Sequence, residues 1–272
     1  MNICVGRIPF LVCAPFFHDF LGKEAELRNI DFVDGPPSAH CAGLKSGSIH
    51  LSPASSITFA QKPGAFVLSG ELCTSCGFEV RSVKLFSRFP IEELSGKTIR
   101  MTAQSATSVT LLRILLEDHL GLKPNYVPGC PAQPDDDACL LIGDQALEET
   151  ERHRFAFGYD LGTLWRDWHG VPFVFGAWVI SKSALVPEGR ATLERYMELT
   201  KESIEHFRAD KVSALDRWLA KYPVNLPRAV VEDYYDALDY RFTDERKESL
   251  KLFFEYACRH GLVEQVPPLE FL

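Results

Sequence analysis

Residues 98–121 read TIRMTAQSATSVTLLRILLEDHLG, and the order of parts in this stretch decides the fold class. Thr98–Met101 has the short apolar character of a strand, the polar residues after it break the pattern, and residues 107–120 carry apolar side chains at spacings of three and four. Strand, polar loop and amphipathic helix in that order make a βα unit, the building block of an α/β protein.

The same punctuation continues on both sides of this stretch. Residues 3–5 read as a strand and residues 14–21 as a helix stopped by Gly22. Residues 31–33 and 49–51 read as strands on either side of a helix that opens at Pro37 and ends at Gly47. Residues 80–87 form a further strand before Pro90. Tyr126 with Val127 and then Ala138–Ile142 complete a small second unit. Residues 171–180, rich in Val, Phe and Trp, suit a buried strand that brings the chain back to the first unit. After Pro187 the pattern is helical through residues 190–207, 213–222, 226–238 and 244–260. The expectation is a two-lobed α/β fold of the type II periplasmic-binding-protein kind, with a ligand cleft between the lobes and a helical C-terminal region. The first lobe comprises residues 1–87 and 179–272 and the second residues 88–178, with the first crossover near residues 87–92.

Composition narrows the class. A chain of 272 residues with 46% hydrophobic and 24% charged residues is folded and globular, and long enough for two units. Its apolar runs stop well short of the roughly 20 residues that cross a bilayer. The opening MNICVGRIPFLVCAPFF has neither a basic leader nor a small-residue cleavage site, so it reads as a first strand and the expected compartment is the cytoplasm. The eight cysteines are accordingly expected to be reduced thiols. A net charge of −8 without clustered Lys or Arg argues against nucleic acid as a partner, and it obliges any anion pocket to supply local donors against the field of the whole chain.

The candidates for those donors follow from position. Ser105, Thr107 and Ser108 precede an amphipathic helix, where free backbone N–H groups and the helix dipole favour a carboxylate. The same residue types also serve as ordinary caps. Ser55 and Ser56, with Pro53, follow the strand at 49–51, at the end of the strand where open α/β sheets bind ligands. Ser82 lies near the crossover and Arg7 just beyond the first strand, so both are expected to face the cleft. Asp144, after Gly143, reads as the cap of the next helix, one step removed from the ligand. Cys73 and Cys76 form a single C-x-x-C, too few ligands for structural zinc, and read as packed thiols. The Asp135, Asp136, Asp137 run reads as a solvated loop. No metal motif, nucleophile elbow or phosphate loop occurs, so neither metal nor nucleotide cofactor is expected.

Three segments, GRIPFLVCAPFF from Gly6, PSAHCAGLKSGSIHLSPASSITFA from Pro37 and GFEVRSVKLFSRFPIEELSGKTI from Gly77, resemble the chorismate dehydratase family of the futalosine route to menaquinone. LLIGDQAL from Leu140 and YDLGTLWRDWHGVPFVFGAW from Tyr159 look like the same family's second lobe and returning strand. The resemblance implies conversion of chorismate to 3-[(1-carboxyvinyl)oxy]benzoate with loss of water, a hydro-lyase reaction without a cofactor. The chain departs from the family where an opening Asn is replaced by Val12, and where Asp, Glu and Thr are replaced by His50, Thr58 and His169. A binding protein that closes on a small aromatic or dicarboxylic anion without turning it over is compatible with the same fold.

Overall fold

The computed structural model describes residues 1–129, 133 and 136–272. Along the chain the elements are β1 (Ile3–Arg7), α1 (Ala14–Phe17), β2 (Ile30–Asp34), α2 (Pro37–Ser46), β3 (Leu51–Ser55), α3 (Ile57–Ala60), β4 (Phe66–Cys76) and β5 (Val83–Ser87). There follow β6 (Thr98–Met101), α4 (Ala106–Ile114), β7 (Asn125–Pro128), β8 (Ala138–Ile142), α5 (Asp144–Arg152), β9 (Phe157–Asp160), α6 (Leu161–His169) and β10 (Phe173–Ser181). The C-terminal region adds α7 (Pro187–Ala209), α8 (Lys211–Lys221), α9 (Arg228–Tyr234), β11 (Leu238–Arg241) and α10 (Asp244–Arg259).

The strands form two sheets. A six-stranded sheet runs β11-β4-β10-β3-β1-β2 and a five-stranded one β7-β6-β8-β5-β9. β1, β2 and β3 are mutually parallel, as are β6, β7 and β8, while β4, β5, β9, β10 and β11 enter antiparallel to their neighbours. Each sheet therefore has a parallel part whose strands end toward loops, the arrangement that places ligands at carboxyl ends.

Several sequence expectations need correction. β5 pairs with β8 and β9, register Val83 to Ile142 and Lys84 to Asp160, so it belongs to the small sheet. The chain thus passes between sheets in residues 77–82, before the expected crossover at 87–92, and it returns between His169 and Phe173. The sequence pattern predicts neither β4 nor β11. β4 is eleven residues long and holds Cys73 and Cys76, both buried, with β-bulges against β10 that interrupt any simple alternation. Pro53 lies within β3, where the sequence suggests the strand has already ended. The expected helix at 226–238 stops at Tyr234, and Leu238–Arg241 pairs with β4 instead. The acidic run is not solvated where it is described: the Arg100 guanidinium pairs with the buried Asp136 at 2.7 Å, and Asp137 accepts from the Thr98 N–H at 2.9 Å. Asp135 lies outside the described residues.

Among the described residues two large apolar cores, and a small third one around Phe86, Cys139 and Leu141, hold the layers. One lies under α1, α7 and α8, with Phe16, Phe17, Trp178 and Tyr196 packed against one another. The other is continuous across both sheets, joining Leu85, Ile99 and Leu111 to Phe173, Phe253 and Phe254. α10 contributes to this continuity, beside the direct packing of Trp165 of α6 on Phe173 of β10. Phe253 packs on Phe173, and Ser249 accepts a hydrogen bond from the Trp165 indole of α6 at 3.3 Å, so the last helix is shared between the lobes and does not belong to the first alone.

Candidate functional site

A cavity opens where the parallel strands of both sheets end. Ile8 and Phe10 follow β1, Ser55 ends β3, Ser105 follows β6, and Gly143 follows β8, and all five line it. Val12 and Cys13 from the loop after β1, Val80 and Ser82 from the crossover, Val83 at the start of β5, and Thr74, Phe175 and Gly176 from β4 and β10 complete most of the wall. The space encloses about 590 Å³ including its open mouth. Gly176, opposite Ser55 in β3 and Thr74 in β4, contributes no side chain to the floor. Gly143 has φ +59°, ψ −144°, a conformation reserved for glycine, and a Cβ there would meet the Phe10 ring at 2.9 Å.

Among the described residues, none that line the cavity is Asp, Glu, His, Lys or Arg. Its polar equipment is hydroxyl and backbone. Ser105 caps α4, accepting from the Ser108 N–H at 3.2 Å, and its hydroxyl lies 3.0 Å from that of Ser108 and 3.3 Å from that of Ser55. The first N–H groups of α4 have no carbonyl one turn earlier to accept them, so the helix presents a partial positive end at this wall.

The hydroxyl candidates separate into two groups. Ser55, Ser82 and Ser108 line the cavity. Thr107 and Ser56 lie beside it and join the lobes: Thr107 is fully buried, its hydroxyl 3.2 Å from Ser56 and accepting from the Ile57 N–H at 3.1 Å. Arg7 lies outside the cavity, contrary to the expectation that it faces the cleft. Its guanidinium is bound to Asp34 at 2.6 Å and Glu24 at 2.9 Å and lies over the Phe32 ring, because two acidic partners close to the end of β1 offer it better compensation than an apolar wall. Asp144 is not the cap of α5. Gly143 holds that position, and the Asp144 carboxylate reaches across to accept from the Leu11 N–H at 3.0 Å. Burial pushes its pKa up to about 7, with the Leu11 N–H opposing the rise and Glu148 adding to it. Of the four departures from the family pattern, only Val12 touches the cavity. His50 accepts from the Cys4 N–H, Thr58 donates to the Cys41 sulfur, and His169 packs between Trp165 and Trp168.

The sequence reading missed Asp160 and the apolar wall. Asp160 accepts from the N–H groups of Val80, Arg81, Gly162 and Thr163, which caps α6 and fastens the crossover to the small lobe. Asp before Leu-Gly-Thr is a capping pattern that would have found half of this role. Phe10, Val80, Ile142 and Phe175 carry no sequence signal that separates a cavity wall from ordinary core.

The chain matches the family model described as menaquinone biosynthesis over residues 3–259. It is 27% identical over 230 residues to the chorismate dehydratase of Thermus thermophilus, covering 78% of this chain and 81% of that one. A solved protein of Archaeoglobus fulgidus superposes with a TM-score of 0.77 at 19% identity, covering 96% of this chain and 98% of that one. The alkanesulfonate-binding protein SsuA of Xanthomonas axonopodis pv. citri, bound to MOPS, superposes with a TM-score of 0.72 at 15% identity, covering 98% and 95%. The fold is thus that of the periplasmic binding proteins.

Proposed function

The chain belongs to the menaquinone-biosynthesis family, and from that premise we propose that it is a chorismate dehydratase, a hydro-lyase that converts chorismate to 3-[(1-carboxyvinyl)oxy]benzoate. The observation that carries this reading is a cavity whose wall offers hydroxyls and a helix N-terminus but, among the described residues, no carboxylate, imidazole, amine or guanidinium. Such a site can hold a cyclic dicarboxylate and orient it. Its one titratable lining side chain among the described residues, Cys13, is kept a thiol by burial and so is no base poised to take a ring proton.

The elimination needs none if the substrate supplies its own base. The enolpyruvyl carboxylate takes the ring proton, the C–H electron pair becomes the new ring double bond, and the adjacent hydroxyl leaves. That hydroxyl departs as water with the proton that the carboxylate carried, and aromaticity provides the driving force. Positioning is then the protein's main contribution. The N-terminus of α4 with Ser105 and Ser108 suits the carboxylate fixed on the ring. Ser55 and Ser82 orient the remaining oxygens, and Phe10, Val12 and Phe175 keep water out and shape the ring's berth. A cytoplasmic place in the futalosine route to menaquinone is part of the same proposal, and among the described residues no helix is long and apolar enough to cross a membrane.

The test is incubation of the purified protein with chorismate, followed by ultraviolet spectra and mass spectrometry. A benzoate product lighter by one water is expected. Saturable binding of chorismate with no change in it would replace the enzyme by an anion-binding protein.

A further inference from the structure

The wall that carries Val12 and Ser82 is held from behind by the C-terminal region. Tyr235 donates to the Leu11 carbonyl at 2.7 Å and Tyr240 to the Val12 carbonyl at 2.9 Å, so the loop after β1 is fixed through its backbone. Tyr234, at the end of α9, is different, because its hydroxyl donates to the Ser82 Oγ at 2.7 Å. None of the three tyrosines lines the cavity, and Ser82 does.

A serine hydroxyl has one proton and two acceptor positions. With Tyr234 occupying an acceptor position, the Ser82 proton cannot turn back along that line. The backbone of Ser82 is fixed as well: its N–H reaches the Val80 carbonyl at 2.7 Å and its carbonyl accepts from the Gly143 N–H at 2.7 Å, so neither end of the residue is free to swing. We infer that Tyr234 is a positioning residue that, by occupying one acceptor position of the Ser82 hydroxyl, keeps its proton free to donate to an oxygen of the cavity's ligand. The inference rests on the dehydratase reading, with the substrate's carboxylate, ether and hydroxyl oxygens as the acceptors. Tyr234 is suited to the task because it is buried, and burial raises its phenol far above the ordinary value despite the lowering from its Ser82 hydrogen bond, with Asp144, Cys13 and Cys76 adding to the rise.

The test is a double-mutant cycle on chorismate turnover with Ser82→Ala, Tyr234→Phe and the pair. A hydroxyl donated to a charged oxygen is worth about ten-fold in kcat/KM, so Ser82→Ala is expected to lose about that factor. Tyr234→Phe should lose a smaller factor with the same division between kcat and KM. In the pair, Tyr234→Phe should cost nothing beyond Ser82→Ala alone, because the hydroxyl it orients is gone. Losses that multiply in the pair would overturn the assignment, since a merely structural tyrosine acts whether or not Ser82 is present. If Tyr234→Phe does not fold, 3-fluorotyrosine placed at position 234 keeps the shape and strengthens the donor. It should change kcat/KM with Ser82 present and leave it unchanged in Ser82→Ala, and equal changes in both backgrounds would again overturn the assignment. A parent protein that leaves chorismate intact refutes the dehydratase reading, whereas a parent that turns it over with multiplicative variants refutes Tyr234 alone.

Discussion

Thr107→Val removes one hydroxyl from the seam between the lobes and changes almost nothing else in shape. The proton count at that seam sets the expected size of the effect. Ser56 donates its only proton to the Val174 carbonyl at 2.9 Å, so the 3.2 Å contact between Ser56 and Thr107 is donated by Thr107. Thr107 in turn accepts from the Ile57 N–H, the first of α3, which has no acceptor within its own helix. Valine would leave that N–H and a Ser56 lone pair buried without partners. An unpaired buried donor costs about 1–3 kcal/mol, and the lost acceptor contact brings the expected total to about 2–3 kcal/mol. At about 2–4 °C per kcal/mol for a chain of this size class, Tm should fall by roughly 5–10 °C. Differential scanning calorimetry on the parent, Thr107→Val and Thr107→Ser measures it. Serine keeps both bonds and loses only a methyl, so it should fall by less than half as much. A valine variant that melts within about a degree of the parent, or a serine variant as damaged as valine, would show that the seam is not held by these bonds.

Two further outcomes follow from buried charge. Because burial raises Asp144 to about 7, the folded state holds a proton that the unfolded state releases, so its contribution to stability falls as pH rises from about 4 to about 7 and then levels. Asp144→Asn keeps an acceptor for Leu11 and loses the titration; its melting temperature relative to the parent should climb across that window, and a pH-independent difference from pH 4 to 8 would refute the assignment. Arg7→Leu should lower stability by about 1–2 kcal/mol, discounted for partners that are partly exposed, yet leave the KM for chorismate within about two-fold because Arg7 lies outside the cavity. Against the rise that burial alone would give, hydrogen bonds from Arg7 and Tyr222 hold Asp34 below the usual carboxylate range, so the stability gap should narrow as pH falls through that range. A large rise in KM would return Arg7 to the site.

What the sequence determined by itself was local. Thr98–Met101 and Ala138–Ile142 were legible to the residue, and the starts of α4 and α10 nearly so, because a cap, a turn glycine and an apolar period act over one or two turns of chain. Position alone, at a strand end, near the crossover and at a helix start, pointed to Ser55, Ser82 and Ser108, which line the cavity. The tertiary structure alone decided which sheet β5 joins, since five largely buried residues suit either sheet and pairing with β8 depends on residues far along the chain. It decided that Arg7 answers to Asp34 and Glu24, that Thr107 clasps Ser56 and Ile57, and that Tyr234 stands behind Ser82. Those partners lie between 17 and 152 positions apart, and a polar side chain announces that it needs a partner without announcing which one. The choice is made only when packing has removed water from around it, which is a property of the assembled lobes and not of any stretch of chain.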